Sequence, residues 1–315
     1  MCEIAGLVTK DGSPARRDVL ARMIAQVRHR GPDASGAETR GPAGLAHARL
    51  SIIDLAGGVQ PMSSADGRLT LTFNGEIFNY LELREELIRA GRVFATRSDT
   101  EVVLQAYDAW GPDCVKRFNG QWAFAIWDAR SETLFASRDR IGVRPFFHAE
   151  TPAAFIFASE AKALFAHPGV GAQIDPVGLD QIFTTWAPLA PTTVFKGVKE
   201  LPPGSNLIRS RGVNTITPYW SLNYAPTEEH GTAEAWAEQL LDLLLDATRI
   251  RLRADVPVGA YLSGGLDSTV IASLVRKLGH EPLETFSVAF EDAEFDESGF
   301  QAQAARALGT RHHSV

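Results

Sequence analysis

Two places in this 315-residue sequence hold residue types whose spacing could do chemistry. The first is Cys2. The small second residue permits removal of Met1, after which Cys2 carries a thiol and an α-amine on one backbone carbon. An α-amine titrates near ~7.7–8.0 and a thiol near ~8.5, so the amine can take the thiol proton, directly or through a water. Nucleophile and base then come from one residue, as with an N-terminal threonine. While Met1 stays attached the amine is an amide and the base is gone, so the chain as written is a precursor. A lone cysteine at position 2 is ordinarily an accident of sequence; its company changes that. Cys2-Glu3-Ile4-Ala5-Gly6-Leu7-Val8 reads as an apolar strand that begins at the thiol. A strand end can hold a near-attack geometry that a floppy tail cannot.

The second place is Leu262-Ser263-Gly264-Gly265-Leu266-Asp267-Ser268, which lies between a predicted strand and a predicted helix. A glycine-rich turn there points several backbone N–H groups at one spot, and the helix N-terminus adds its positive end. That is a phosphate cradle; the bland alternative is a chance Ser-Gly-Gly turn. Cys114 falls in a helix-like stretch and reads as core packing. The eight histidines show no metal-ligand spacing, and His312-His313 is a weak pair.

The elements that must position these residues follow from periodicity. Arg17 to Val27 carries Val19, Leu20, Met23, Ile24 and Val27 on one side and predicts a helix. Leu45 to Asp54, Leu69 to Phe73, Trp122 to Asp128, Thr133 to Ser137 and Phe155 to Ala158 predict strands, with a hairpin at Ala129-Arg130-Ser131-Glu132. Ser98-Asp99-Thr100-Glu101 is a capping box opening a helix that Gly111-Pro112 stops. Taken alone, Asn74-Gly75 is a hairpin-turn signature. From Leu201 to Pro226 proline, glycine and polar residues accumulate, as at a domain edge. Beyond lie a leucine-rich helix from Ala233 to Arg253, a strand (Gly259 to Leu262), a helix (Ser268 to Leu278), a strand (Thr285 to Phe290) and a helix (Gly299 to Leu308). Strand, helix, strand is the βαβ unit of a parallel sheet.

Bulk composition narrows the class. With 45% hydrophobic and 22% charged residues the chain can bury a full core, and its length suggests two domains. A net charge of −7 argues against a nucleic-acid partner but not against ATP, because backbone amides hold phosphates whatever the overall sign. Two cysteines make no disulfide framework, which points to a reducing compartment. No signal peptide and no apolar stretch of membrane-spanning length is visible, so a cytoplasmic protein without a membrane partner is expected.

Five segments in order carry a resemblance: Cys2 with its apolar strand, His29-Arg30-Gly31-Pro32-Asp33, Ala48-Arg49-Leu50-Ser51-Ile52, Phe73-Asn74-Gly75-Glu76-Ile77-Phe78-Asn79 and Ser98-Asp99-Thr100-Glu101. Together they resemble the type II glutamine amidotransferase domain of glutamine-hydrolysing asparagine synthetases. The resemblance implies an α+β fold: an N-terminal-nucleophile αββα sandwich, followed by an incomplete α/β parallel-sheet nucleotide-binding domain. It implies residues 1–212 as the amidotransferase domain, 213–232 as a linker and 233–315 as the N-terminal part of the ATP-pyrophosphatase domain. It assigns the oxyanion hole to the Asn74 side chain and the Gly75 N–H, with Cys2 as nucleophile. Arg49 would hold the glutamine α-carboxylate, to which a guanidinium fork is matched, and Glu76 and Asp99 the α-ammonium. A solvated strand arginine and a helix N-terminal charge beside the Ser98 cap are the plainer readings of Arg49 and Asp99. The His29 to Asp33 segment reads as wall and scaffold, because the Cys2 amine fills the base role. Arg138 to Pro145 and Ser159 to Leu164 also match the family and are expected to do structural duty, as buried ion pairs and a tight turn.

The Ser263 loop resembles the pyrophosphate loop of ATP pyrophosphatases, which activate a carboxylate as an acyl-adenylate. Ser263, Gly264, Gly265, Asp267 and Ser268 would hold pyrophosphate and Mg²⁺, with Asp267 as the metal ligand. Leu262 and Val288 would touch adenosine through backbone groups, and Phe295-Asp296-Glu297-Ser298 matches ahead of the last helix. The implied overall reaction is ATP-dependent amide transfer from glutamine to aspartate, with another carboxylate acceptor as the alternative. Family members often form dimers, so a homodimer is carried as an expectation. Later family segments do not appear before Val315, so a fragment of a longer protein, limited by itself to glutamine hydrolysis, is expected. A parallel sheet of two or three strands cannot cover both faces with helices, and its stability as given should be poor.

Overall fold

The structure is a computed structural model that describes residues 2–224, 231–279, 282–292 and 294–315. It divides into two compact units, the first ending at Asn223 and the second beginning at Tyr224. In chain order the first unit holds strand β1 (Glu3–Thr9), helix α1 (Arg17–Ala25), β2 (Ala34–Arg40), β3 (Ala43–Arg49), β4 (Met62–Ser63), β5 (Leu69–Ile77), and helices α2 (Tyr80–Arg89) and α3 (Asp99–Trp110). There follow β6 (Gly120–Asp128), β7 (Thr133–Arg138), β8 (Phe147–Glu150), β9 (Ala154–Ala158), α4 (Ala161–Phe165), α5 (Pro176–Thr185), β10 (Val198–Glu200), β11 (Ser205–Ser210) and β12 (Val213–Pro218).

These strands form two six-stranded sheets, ordered β10-β8-β9-β1-β3-β2 and β12-β11-β7-β6-β5-β4. Neighbours are antiparallel throughout, with β1 central in the first sheet and β5 and β6 paired residue for residue in the second. Three apolar clusters show four layers. Val19, Leu20 and Met23 of α1 pack on Ala5 and Leu7 of β1. Ile4 and Val8, on the opposite face of β1, meet Ala123, Ala125 and Trp127 of β6 between the sheets. Leu83 and Leu87 of α2 and Val102 and Val103 of α3 cover the outer face of β5 and β6. Helix, sheet, sheet, helix is the expected αββα sandwich. It also explains why β1 reads as a continuous apolar run: both of its faces are covered.

Three elements depart from the pattern-based expectation. The strand predicted from Leu45 to Asp54 ends at Arg49, because Asp54 takes a left-handed conformation (φ 50°) and the carbonyls of residues 53–55 turn back onto the Arg49 guanidinium. Asn74-Gly75 is no turn: β5 runs through it to Ile77, since β6 pairs with every residue from Leu69 onward. The linker expected over 213–232 begins with β12, which pairs with β11, and Tyr219 beyond it stacks on Trp122 and donates its hydroxyl to the Arg138 carbonyl (2.8 Å). Residues 225–230 of that linker lie outside the described residues.

The second unit holds α6 (Ala233–Arg251), β13 (Gly259–Tyr261), α7 (Leu266–Lys277), β14 (Glu284–Ser287), α8 (Ser298–Leu308) and β15 (Arg311–Ser314). Its three strands are parallel in the order β13-β14-β15. The buried cluster is small (Leu262, Ala272, Val275, Leu283 and Ala305), while Leu240, Leu243, Tyr261 and Phe300 are exposed.

Candidate active site

Antiparallel pairing of Glu3 with Ala48 carries Cys2 to the end of β3, where the chain leaves the sheet. There the Cys2 Sγ lies 3.4 Å from the Leu50 carbonyl oxygen and 3.4 Å from the Leu50 amide nitrogen. Burial pushes the thiol above its usual pKa, and the Leu50 N–H pulls the other way. Cys2 thus sits at the edge of a pocket of about 60 Å³ whose walls include Arg49, Asn74, Gly75, Glu76 and Asp99. The four segments that carry these residues are far apart in sequence, and the sandwich brings their ends together.

Each wall residue has a reason for its place. Arg49 is buried, and three carbonyls hold its guanidinium: Leu55 on Nη1 (2.9 Å), and Ile53 (3.2 Å) and Asp54 (2.7 Å) on Nη2. A guanidinium has five N–H donors, so the loop fixes the fork and leaves donors over for a carboxylate. Asp99 opens α3 behind the Ser98 cap, whose Oγ accepts from the Thr100 N–H at 3.1 Å. The Asp99 carboxylate accepts the Ile77 N–H at 3.1 Å, and burial pushes its pKa up to about 6 against that hydrogen bond.

The backbone of β5 shows what the Asn74-Gly75 pair offers. Along its free edge the Phe73 N–H donates to the Gln60 Oε1 (2.7 Å) and the Ile77 N–H to Asp99. Strand N–H groups alternate in direction, so the Gly75 N–H points to this same edge, between the other two and away from β6. A Cβ at position 75 would lie 2.2 Å from the Gln121 carbonyl oxygen and 2.6 Å from the Phe73 ring. Only glycine fits. The Asn74 side chain, almost fully buried, extends Nδ2 to the Ser159 Oγ at 3.4 Å.

Several contributors were not legible as site residues. Gln60 pairs with both backbone groups of Phe73 like a one-residue strand, and nothing in its sequence setting announces this. His47 is fully buried, donates to the Phe73 carbonyl (3.1 Å), and is held neutral by burial with a pKa down to about 3. Arg138 to Pro145 does the structural work expected of it: Arg138 binds the carbonyls of Gly142, Arg144 and Leu201, and Asp139 collects the N–H groups of Trp122, Ile141, Val143 and Arg144. The Arg144 side chain goes beyond that duty, lining the pocket with its Nε buried and unpartnered. As scaffold, Arg30 reaches the Glu3 carboxylate (2.7 Å) and Glu160 (3.1 Å), and Asp33 accepts the Ser51 N–H (2.7 Å).

In the second unit the Ser263 loop joins β13 to α7. Gly264 takes φ +89°, and the Ser268 Oγ accepts the Ser263 N–H at 3.1 Å and stands 2.9 Å from the Ser263 Oγ. Asp267 is exposed in the first turn of α7, which starts at Leu266. Among the described residues no group of three or more His, Cys, Asp or Glu side chains is placed to hold a metal, and Asp267 belongs to no such group. Both Leu262 backbone groups are engaged, the N–H by Phe286 (2.9 Å) and the carbonyl by the Ser287 hydroxyl, and Val288 accepts from Gln301 (3.0 Å). An adenosine contact through Leu262 would therefore use its carbonyl's second lone pair. Among the described residues no helix is long and apolar enough to cross a membrane.

Residues 239–315 match the family model described as asparagine synthase. Asparagine synthetase [glutamine-hydrolyzing] 3 of Bacillus subtilis is 38% identical, over 99% of this chain and 54% of its own length. Putative asparagine synthetase [glutamine-hydrolyzing] 2 of Methanocaldococcus jannaschii is 35% identical over 99% and 64%, and amidase chyE of Penicillium rubens 34% over 95% and 46%. The chain spans about half the length of the curated relatives it matches. Among solved structures, the glutamine phosphoribosylpyrophosphate amidotransferase of B. subtilis shares the fold at a TM-score of 0.50 and 18% identity, covering 99% of this chain and 65% of that one. Residues 1–220, which hold the Cys2 pocket, match the family model described as glutamine amidotransferase domain, and the chain belongs to that family.

Proposed function

We propose that the first unit hydrolyses glutamine to glutamate and ammonia with Cys2 as nucleophile. The observation that carries this reading is the Gly75 N–H, aimed from the free edge of β5 into the pocket that Cys2 borders. After removal of Met1 the Cys2 amine takes the thiol proton, and the sulfur attacks the carboxamide carbon. The oxygen, now negative, is held by the Gly75 N–H and the Asn74 amide, donors that are fixed before the charge develops. The C–N bond breaks as the ammonium of Cys2 returns the proton to the departing nitrogen. Water then cleaves the glutamyl thioester and restores the thiol. Arg49 holds the α-carboxylate, and Asp99 with Glu76 the α-ammonium, so the amide reaches the sulfur in one orientation.

The ammonia goes to a carboxylate acceptor. The printed names of the B. subtilis and M. jannaschii relatives favour aspartate; relatives named amidase, chyE and chry2, favour a second reading with another acceptor. The donor set around Ser263, Gly264, Gly265 and Ser268 suits a polyphosphate, and Asp267 would offer a carboxylate to a phosphate-bound Mg²⁺. ATP held there would supply the activation of the acceptor carboxylate. The separate, free thiols of Cys2 and Cys114 suit a reducing cytoplasm.

The test is release of glutamate and ammonia from glutamine without ATP, with Cys2→Ala as control. Equal amounts of both products from the parent and none from the variant are expected; no release by the parent, or equal release by both, would defeat the reading.

A further inference from the structure

We infer, resting on the glutaminase reading above, that Arg144 is a further catalytic residue of the Cys2 pocket. Its guanidinium holds the carboxamide oxygen of glutamine as that oxygen turns negative and then becomes part of the product carboxylate.

Among the described residues four arginines are buried: Arg49, Arg138, Arg144 and Arg209. Three of them are engaged by the protein. Arg49 and Arg138 each hold three carbonyls, and Arg209 holds Asn214 at 2.7 Å and Glu150 at 3.3 Å. The Arg144 side chain meets no acceptor among the described residues, and its Nε is buried without a partner. A buried charged donor left unpaired is destabilising, so a ligand that brings an acceptor recovers what the protein alone forgoes. The nearest candidate within the fold is already full. Asp139 accepts the N–H groups of Ile141 (3.2 Å) and Val143 (2.9 Å) on Oδ1, and of Trp122 (3.2 Å) and Arg144 itself (2.9 Å) on Oδ2. A carboxylate has about four acceptor sites, and all are used.

The same bonds place Arg144 at the reacting end of the pocket. One oxygen of Asp139 joins the backbone of Arg144 to that of Trp122, and Trp122 is the β6 partner of Gly75. The Arg144 carbonyl is taken by the Arg138 Nε at 2.8 Å, so its backbone is fixed on both sides. From there the side chain enters the pocket that Cys2, Asn74 and Gly75 also line. Burial pulls its pKa down, while Asp139, Glu76 and the Cys2 thiolate pull it up; a guanidinium stays charged throughout. With Arg49 and Asp99 on the α-carboxylate and α-ammonium, Arg144 is left for the amide end. Glutamine presents a neutral group there, whereas the tetrahedral intermediates and glutamate present a negative oxygen. A cation at that point favours the transition state and the product over the substrate. Arg144 only donates hydrogen bonds; the covalent steps and the path of the proton are those given above.

The experiment compares steady-state glutamine hydrolysis by the parent, Arg144→Gln, Arg144→Met and Arg144→Lys, each checked for folding by circular dichroism. Loss of the charge should lower kcat at least about tenfold in Arg144→Gln and Arg144→Met with KM within about twofold, and Arg144→Lys should recover part of the loss. Calorimetric titration in the inactive Cys2→Ala background gives a second reading. There Arg144→Gln should weaken glutamate about tenfold and leave glutamine within about twofold, because the two ligands differ only in charge at the amide end. Parental kcat in Arg144→Gln, a rise in KM in place of the fall in kcat, or equal weakening of both ligands overturns the inference. Should Arg144→Gln not fold, Arg144→Met, which keeps an apolar stem, takes its place in both measurements. An inactive parent, or activity that survives Cys2→Ala, overturns the glutaminase reading instead.

Discussion

A single methyl group at position 75 puts the central geometry under stress. In Gly75→Ala the new Cβ would stand 2.2 Å from the Gln121 carbonyl oxygen, 2.6 Å from the Phe73 ring and 2.8 Å from the Trp122 Cα. Two of these three neighbours are backbone atoms of β6, so no side-chain rotation relieves them. β5 must move away from β6 at the register Gly75↔Trp122, two pairs before their ladder ends. Overpacking of this kind costs about 1–3 kcal/mol, and contact with rigid backbone places Gly75→Ala near the upper end. For a unit of this size each kcal/mol lowers Tm by about 2–4 °C, so a fall of roughly 6–12 °C is expected. The same shift carries the Gly75 N–H off its line, and loss of one oxyanion donor costs about a hundredfold or more in kcat. Calorimetry and a glutamate-release assay on the same preparation read both effects. A variant with parental Tm and parental kcat would refute the reasoning, because the close approach and the donor role would both be wrong.

Three further outcomes follow from the pocket. Asp99 has a pKa of about 6 in the unliganded protein and must be ionised to hold an α-ammonium, so KM for glutamine should rise about tenfold per pH unit below 6. Asp99→Asn should abolish that slope; a KM flat from pH 5 to 8 in the parent would count against the assignment. Arg49→Lys cannot reproduce the three carbonyl bonds and the fork, and loss of charge-assisted bonds worth about 1.5–3 kcal/mol should raise KM by roughly ten- to a hundredfold. Glu3, pushed up to about 7 chiefly by burial from an ordinary value of 4.5, binds its proton more tightly folded than unfolded. Its contribution to stability is therefore greatest at low pH and is lost as pH rises from about 4.5 to about 7. Urea denaturation at pH 5 and pH 8 should show this loss shrink in Glu3→Gln.

What could be read from the sequence was whatever local pattern encodes. The apolar run from Ile4 to Val8 and the Ser98 cap announce β1 and α3, and both lie where the pattern puts them. Asn74-Gly75 was ambiguous because dipeptide statistics favour a turn; pairing with Ala123 and Trp122 of β6, far along the chain, decides for a strand. The true end of β3 depends on Arg49 gathering carbonyls that follow it, a contact periodicity cannot see. Gln60, Arg144 and Ser159 reach the site through tertiary packing alone. Ser159 bonds Ile4 and Asn74 across 155 and 85 residues, and no spacing rule spans that distance.

In the proposed mechanism everything depends on Cys2, freed from Met1, acting as the nucleophile. Treating the protein with a chloroketone analogue of glutamine and mapping its peptides by mass spectrometry tests this most directly. One adduct is expected, on a peptide whose first residue is Cys2, formed in step with the loss of glutaminase activity and blocked by glutamine. Labelling of Cys114 instead, or full activity in a chain that retains Met1, would contradict it.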